Sequence, residues 1–288
     1  MLALATAIVW AFAVILFRKS GETVHPVALN LFKNLLAAVL LLPTIWLFGG
    51  VLFRQVPAGD YLLLIVSGVL GIGIADTLFF MCLNRLGAGL TAVVDCLYSP
   101  SIISLSVVWL GERMTGWQVV GAVMIIAGVL MPTVERPHGS ISRRDLLFGI
   151  LWGVLAMGGM AVGIVMIKSL LERSPLLWVT EVRLVASIAV LGVVLLVHPA
   201  RRAIVASTFS SRGWVYTVSG SLMGAYLATV LWLGGMKYTQ VSIAAALNQT
   251  SNIFVFVFAA LLLREPINLQ RVVAIVLAVA GAMLVTLC

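Results

Sequence analysis

Ten long apolar runs, separated by little more than turn chemistry, dictate what this chain can fold into. They cover residues 1–17, 26–48, 60–83, 88–110, 115–134, 146–167, 175–197, 213–235, 240–263 and 268–288. A helix crosses a bilayer core with about 20 apolar residues, within a range of about 17–25. The breaks carry glycine, proline or charge, as in Ser20-Gly21-Glu22, Val56-Pro57-Ala58-Gly59-Asp60 and Arg264-Glu265-Pro266. Each run is continuous rather than alternating over ten residues, which predicts helices and not barrel strands.

Composition closes off the soluble alternatives. The chain is 62% apolar and 10% charged, against about 45–50% and about 25% in a soluble domain. A soluble fold of this length cannot hide that much apolar surface behind so few charges. The expected class is an all-α integral membrane protein of the cell membrane, with the lipid bilayer as its first partner. The net charge of +8 sits mostly in short connections, as the positive-inside bias requires. No basic stretch is interleaved with aromatics, so no nucleic-acid partner is expected. Arg18-Lys19 follows the first run instead of preceding it, so that run reads as a span and not as a signal peptide.

Enzyme chemistry finds no foothold. Cys82, Cys96 and Cys288 are widely spaced within or at the end of apolar runs and read as small apolar fillers. His25, His138 and His198 fall in or beside connections, at no metal-ligand spacing. There is no GxxxxGK[ST] loop, HExxH or Ser/His/Asp constellation. The expectation is a non-enzyme without cofactor or metal.

An internal repeat organises the runs. Asn84–Leu130 overlies Lys237–Met283 at a constant offset of 153 residues, placing Leu110-Gly111-Glu112-Arg113 on Leu263-Arg264-Glu265-Pro266 and Gly71 on Gly224. Residues 1–134 and 146–288 then form two five-helix units joined by a connecting loop at 135–145. Because five is odd, the copies must have opposite membrane orientation. The predicted architecture is ten helices in two inverted repeats around a central cavity, as in many secondary transporters.

The chain resembles the EamA-type members of the drug/metabolite transporter superfamily. Trp109-Leu110-Gly111-Glu112-Arg113, Trp117-Gln118-Val119-Val120-Gly121 and Ile126-Ala127-Gly128-Val129 carry the resemblance. The second copy repeats it from Leu263-Arg264-Glu265-Pro266 to Val279-Ala280-Gly281, with Arg in place of Gly and Pro in place of Arg. The resemblance spans essentially the whole chain. It implies a ten-helix basket that moves small metabolites, often outward, without fixing which. It also implies cytoplasmic termini, whereas the Lys and Arg count opposes this. Eleven of the 18 fall in the connections after odd-numbered runs and five on the other side, which places the termini outside.

Ionisable groups within spans are costly, and so they mark candidate sites. Asp95 leads, sharing a predicted helical face with Thr91, Tyr98 and Ser99, while Pro100 is placed to kink that helix. Asn248, Ser251 and Asn252 form the matching polar face of the ninth run. Asp76 lies among aromatics with Phe79, and Trp10 and Trp232 are deep enough to wall a cavity. Lys33 and Arg183 complete the substrate-binding set as cations suited to a carboxylate or phosphate. The plainer reading of Lys33 is snorkelling, or pairing with Asp95 or Asp76. Trp46, Trp109, Trp117, Trp178 and Trp214 are expected in interfacial belts. Glu112 and Glu265 are expected to end helices and form local ion pairs.

The function expected is secondary active transport, in the export direction, of a small polar or amphipathic metabolite, most simply an amino acid or derivative. Asp95 is also a candidate proton carrier. The alternatives are a proton-coupled multidrug or organic-cation exporter, or a membrane protein without transport. Oligomeric state leaves no mark in the sequence.

Overall fold

The computed structural model describes residues 2–110, 115–134, 142–209, 213–231 and 250–287. Among the described residues the regular structure is helical. In chain order the helices are α1 (Leu2–Ser20), α2 (Pro26–Leu47), α3 (Ala58–Gly68), α4 (Ala75–Leu86), α5 (Ala88–Asp95), α6 (Tyr98–Leu110) and α7 (Gly116–Val134). Then come α8 (Arg143–Val165), α9 (Lys168–Arg173), α10 (Leu176–Val197), α11 (Arg201–Thr208), α12 (Trp214–Gly220), α13 (Ser251–Leu262) and α14 (Leu269–Leu287). Seven helical stretches among the described residues are long and apolar enough to cross a membrane. The many exposed large apolar side chains, such as Val39, Leu62, Val193 and Val276, suit a surface that meets lipid rather than water.

Local sequence explains where the helices start and break. Pro26 opens α2, where its missing N–H costs nothing. Pro100 cannot donate to the carbonyl of Cys96 four residues earlier, and the helix breaks at Cys96–Leu97, between α5 and α6. The expected single face of the fourth run is therefore divided, with Asp95 ending α5 and Tyr98 and Ser99 opening α6.

Two π-helical stretches, Val69–Ile74 and Ser221–Ala228, continue α3 and α12. They contain Gly71 and Gly224, the residues that the repeat aligns. Wide π turns leave carbonyls poorly bonded. The Asn30 amide donates to Ile72 O at 2.9 Å, Gly73 O at 3.0 Å and Thr77 Oγ1 at 3.0 Å. Asn34 holds Asn30 in place and donates to Ser187 Oγ at 2.7 Å. The polar stripe on α2 thus supports the first π stretch.

Glycines set the closest helix approaches, since small residues let membrane helices touch along their backbones. A Cβ on Gly121 would stand 2.6 Å from Gly281 O, and one on Gly281 would stand 2.6 Å from Gly121 O. One on Gly128 would stand 2.8 Å from Ala274 O. Contacts of 121 with 281 and 128 with 274 require α7 and α14 to run antiparallel.

Candidate functional site

The broken α5–α6 segment brings polar groups to the middle of the helix assembly. Asp95 and Asn252 line a small cavity together with Trp10, Phe79, Thr91 and Val255. Four elements meet there: α1, α4, α5 and α13. The Asn252 amide donates to the Asp95 carboxylate and to Cys96 Sγ at 3.4 Å. Asn252 and Ser251 are buried at the start of α13, so the second half of the chain closes a site built mainly by the first.

A second charged cluster stands beside it. Lys33 Nζ on α2 is 2.5 Å from Asp76 Oδ2 on α4 and 6.0 Å from the centre of the Phe80 ring. Arg183 on α10 lies over Gly71, its guanidinium 3.2 Å from where a Cβ would be. It is within electrostatic reach of Asp76 and Tyr98, and Tyr98 is within reach of Asp95. Lys33 with Asp76 and Asp95 with Asn252 are thus two bonded pairs, and Arg183 and Tyr98 lie within electrostatic reach between them. Lys33 is 8% exposed. It pairs inward with Asp76 and does not snorkel.

Most of the sequence candidates thus come together. Trp10, Phe79, Asp95 and Asn252 share one cavity, Asp76, Lys33 and Arg183 cluster next to it, and Ser99 and Ser251 are buried at the adjoining helix starts. Asn248 and Trp232 lie outside the described residues. The first helix contributes a wall through Trp10 and Val14. Trp178 departs from the interfacial expectation. It is buried at 2% exposure, because its indole N–H donates to Leu52 O at 3.0 Å and a loop covers it. Trp46 and Trp117 are exposed as expected.

Glu265 also has a different role. Its carboxylate accepts from Ala88 N at 2.7 Å and Gly89 N at 3.0 Å. It caps the start of α5, where free N–H groups and the helix dipole favour an anion. The loop before α14 thereby fixes the helix that ends in Asp95. Gly87, at φ 79°, makes the sharp entry. A glutamate three residues before an apolar run looks like a boundary, and nothing local in the sequence links it to Ala88.

The EamA-like transporter family matches residues 1–133 and again 147–287. A protein of Archaeoglobus fulgidus named "Uncharacterized transporter" is 25% identical over 288 residues, covering 100% of this chain and 97% of its own. "Uncharacterized transporter YxxF" of Bacillus subtilis is 28% identical over 140 residues, 46% of this chain and 44% of its own. A solved structure described as "Crystal structure of protein" has a similar fold, with a TM-score of 0.69 at 20% identity over 99% of this chain and 96% of that one. With the family matched across both halves and seven helical stretches among the described residues able to span a bilayer, the chain belongs to the EamA-like transporter family and is an integral, multi-pass membrane protein.

Proposed function

We propose that the protein is a secondary active transporter that exports a small polar or amphipathic metabolite, an amino acid or a derivative of one. The observation that carries this is the cavity in which Trp10 and Phe79 stand beside Asp95 and Asn252. Aromatic walls next to a carboxylate and an amide suit a ligand with an ammonium group and an apolar body. Arg183 suits the ligand's carboxylate, and Lys33 would join it if the ligand drew it from Asp76. Ser99, Ser251 and Asn248 would complete the polar lining, and Trp232 a further wall.

Alternating access would rock two inverted five-helix units, 1–134 and 146–288, about this site, with 135–145 as their connection. Three observations support that reading. The family matches the chain twice in succession. The π stretches fall at aligned positions. The last helices of the two units, α7 and α14, meet antiparallel through reciprocal glycine contacts.

An organic-cation exporter is the second reading. Asp95 is partnered by the neutral amide of Asn252, which leaves its charge to attract a cation held between aromatic faces. Counterflow in proteoliposomes separates the two. Uptake of a labelled amino acid, lost in Asp95→Asn, supports the first. Uptake of tetraphenylphosphonium alone supports the second, and uptake of neither contradicts both.

A further inference from the structure

Eight acidic residues lie in the described part of the chain, and seven have an evident environment. Glu22 pairs with Lys19, Asp60 with Arg173, Asp76 with Lys33 and Asp145 with Arg85. Asp95 accepts from Asn252, Glu265 accepts two backbone N–H groups, and Glu172 is exposed. The eighth is Glu181, in the second turn of α10. It is 7% exposed, and its Oε2 is buried without a hydrogen-bond partner.

The helix face on which it stands is apolar. On the helix, Glu181 shares a face with Leu177, Leu184 and Ile188, which pack with Ala37, Ala38 and Leu41 of α2. Charged and titratable groups on the neighbouring elements are engaged elsewhere. On α2, Lys33 is held by Asp76. On α3, Asp60 is held by Arg173, and the Tyr61 hydroxyl donates to Arg54 O, while the Arg54 guanidinium is held over the Trp178 ring at 5.7 Å, one turn before Glu181. The π stretch Val69–Ile74 has no titratable group. In the second π stretch, the Tyr226 hydroxyl bonds Thr44. On α11, Arg201 donates to Leu196 O at the other end of α10, and Arg202 is exposed. Arg183 projects about 200° around the helix from Glu181.

An anion there has no counter-ion and has one oxygen shut away from any partner, whereas the neutral acid loses far less on burial. A metal or organic cation would need further ligands that this apolar face does not offer. A proton needs none. We propose that Glu181 is a proton-binding site of the transport cycle, carrying a proton while α10 packs on α2 and releasing it when the two helices part. The link to the cycle rests on the transporter reading above, whereas the bound proton does not.

Infrared difference spectroscopy of the full chain in lipid nanodiscs tests this through the carbonyl band of protonated carboxylic acids. The expected result is a band at neutral pH that is lost in Glu181→Gln and kept in Asp95→Asn. Identical wild-type and Glu181→Gln spectra across the pH range would overturn the proposal. Glutamine has the shape and charge of the neutral acid, so a Glu181→Gln protein that does not fold would also count against it. A disulfide between Ala38→Cys and Leu184→Cys, positions in one apolar cluster, should hold α2 on α10. The band should then persist on alkalinisation and titrate away after reduction. The same titration in both forms would overturn the release step. Either failure leaves the Asp95 cavity untouched, since counterflow tests that separately.

Discussion

Lys33 and Asp76 meet at 2.5 Å between α2 and α4, with side-chain exposures of 10% and 18%. Removing one partner of such a buried pair strands the other charge, at a cost of about 3–5 kcal/mol, whereas replacing both with apolar groups of similar volume is often neutral. Lys33→Met and Asp76→Leu should therefore each lower thermal stability sharply, and the double variant should recover most of it. Thermal unfolding in detergent checks this. Additive losses in the double variant would show that the pair is not coupled.

Glu265 is expected to matter for stability beyond its own loop. Glu265→Ala uncaps Ala88 N and Gly89 N, losing charge-assisted hydrogen bonds worth about 1–3 kcal/mol. Hydrogen exchange should rise first at the start of α5. Unchanged protection at 88–91 would contradict the capping role.

Two glycines form a matched pair of tests. A Cβ on Gly68 would stand 2.3 Å from Arg183 O, whereas one on Gly158 meets nothing within 4 Å. Gly68→Ala should destabilise by about 1–3 kcal/mol through overpacking. Gly158→Ala should be neutral or stabilising by up to about 1 kcal/mol, through helix propensity. Equal melting temperatures for the two variants would show that α3 and α10 are not in backbone contact.

His25 lies outside the spans, at the entry to α2. Burial, and then the facing His198 ring at 6.4 Å, hold its pKa below the usual 6.5. Its Nδ1 accepts from Val27 N at 3.3 Å, a bond that the protonated ring cannot accept. With the folded value lowered, the unfolded chain binds the extra proton first, so stability rises with pH through this window. Stability should be full above about 6.5 and fall as pH drops through and below it. Melting temperatures from pH 8 to pH 5 should show a smaller acid loss in His25→Asn than in wild type. Parallel curves would assign the acid loss to other groups.

Much of this was legible in the sequence, for physical reasons. Apolar run length fixes which segments can span a bilayer, and the cost of intramembrane charge points to Asp76, Asp95, Lys33 and Arg183. Pro100 marks a break, but the sequence does not show that the helix restarts at Tyr98, dividing the face. Gly71 and Gly73 weaken the helix in Val69–Ile74, but a glycine does not say which irregularity follows, and the support comes from Asn30, a residue distant in sequence. The burial of Trp178 and the capping of α5 by Glu265 escaped for the same reason. Their partners, Leu52 and Ala88, are set by tertiary packing.

The most direct test of the central claim is a thermal-shift panel on the purified protein, run in parallel on wild type and Asp95→Asn. The panel holds amino acids and derivatives, sugar phosphates, nucleotides and organic cations. A ligand that binds only the folded state at about 100 times its Kd stabilises it by about 2.7 kcal/mol. The account predicts a rise in melting temperature with amino acids or their derivatives, absent or much reduced in Asp95→Asn. A shift of equal size in both proteins would contradict a binding site at Asp95.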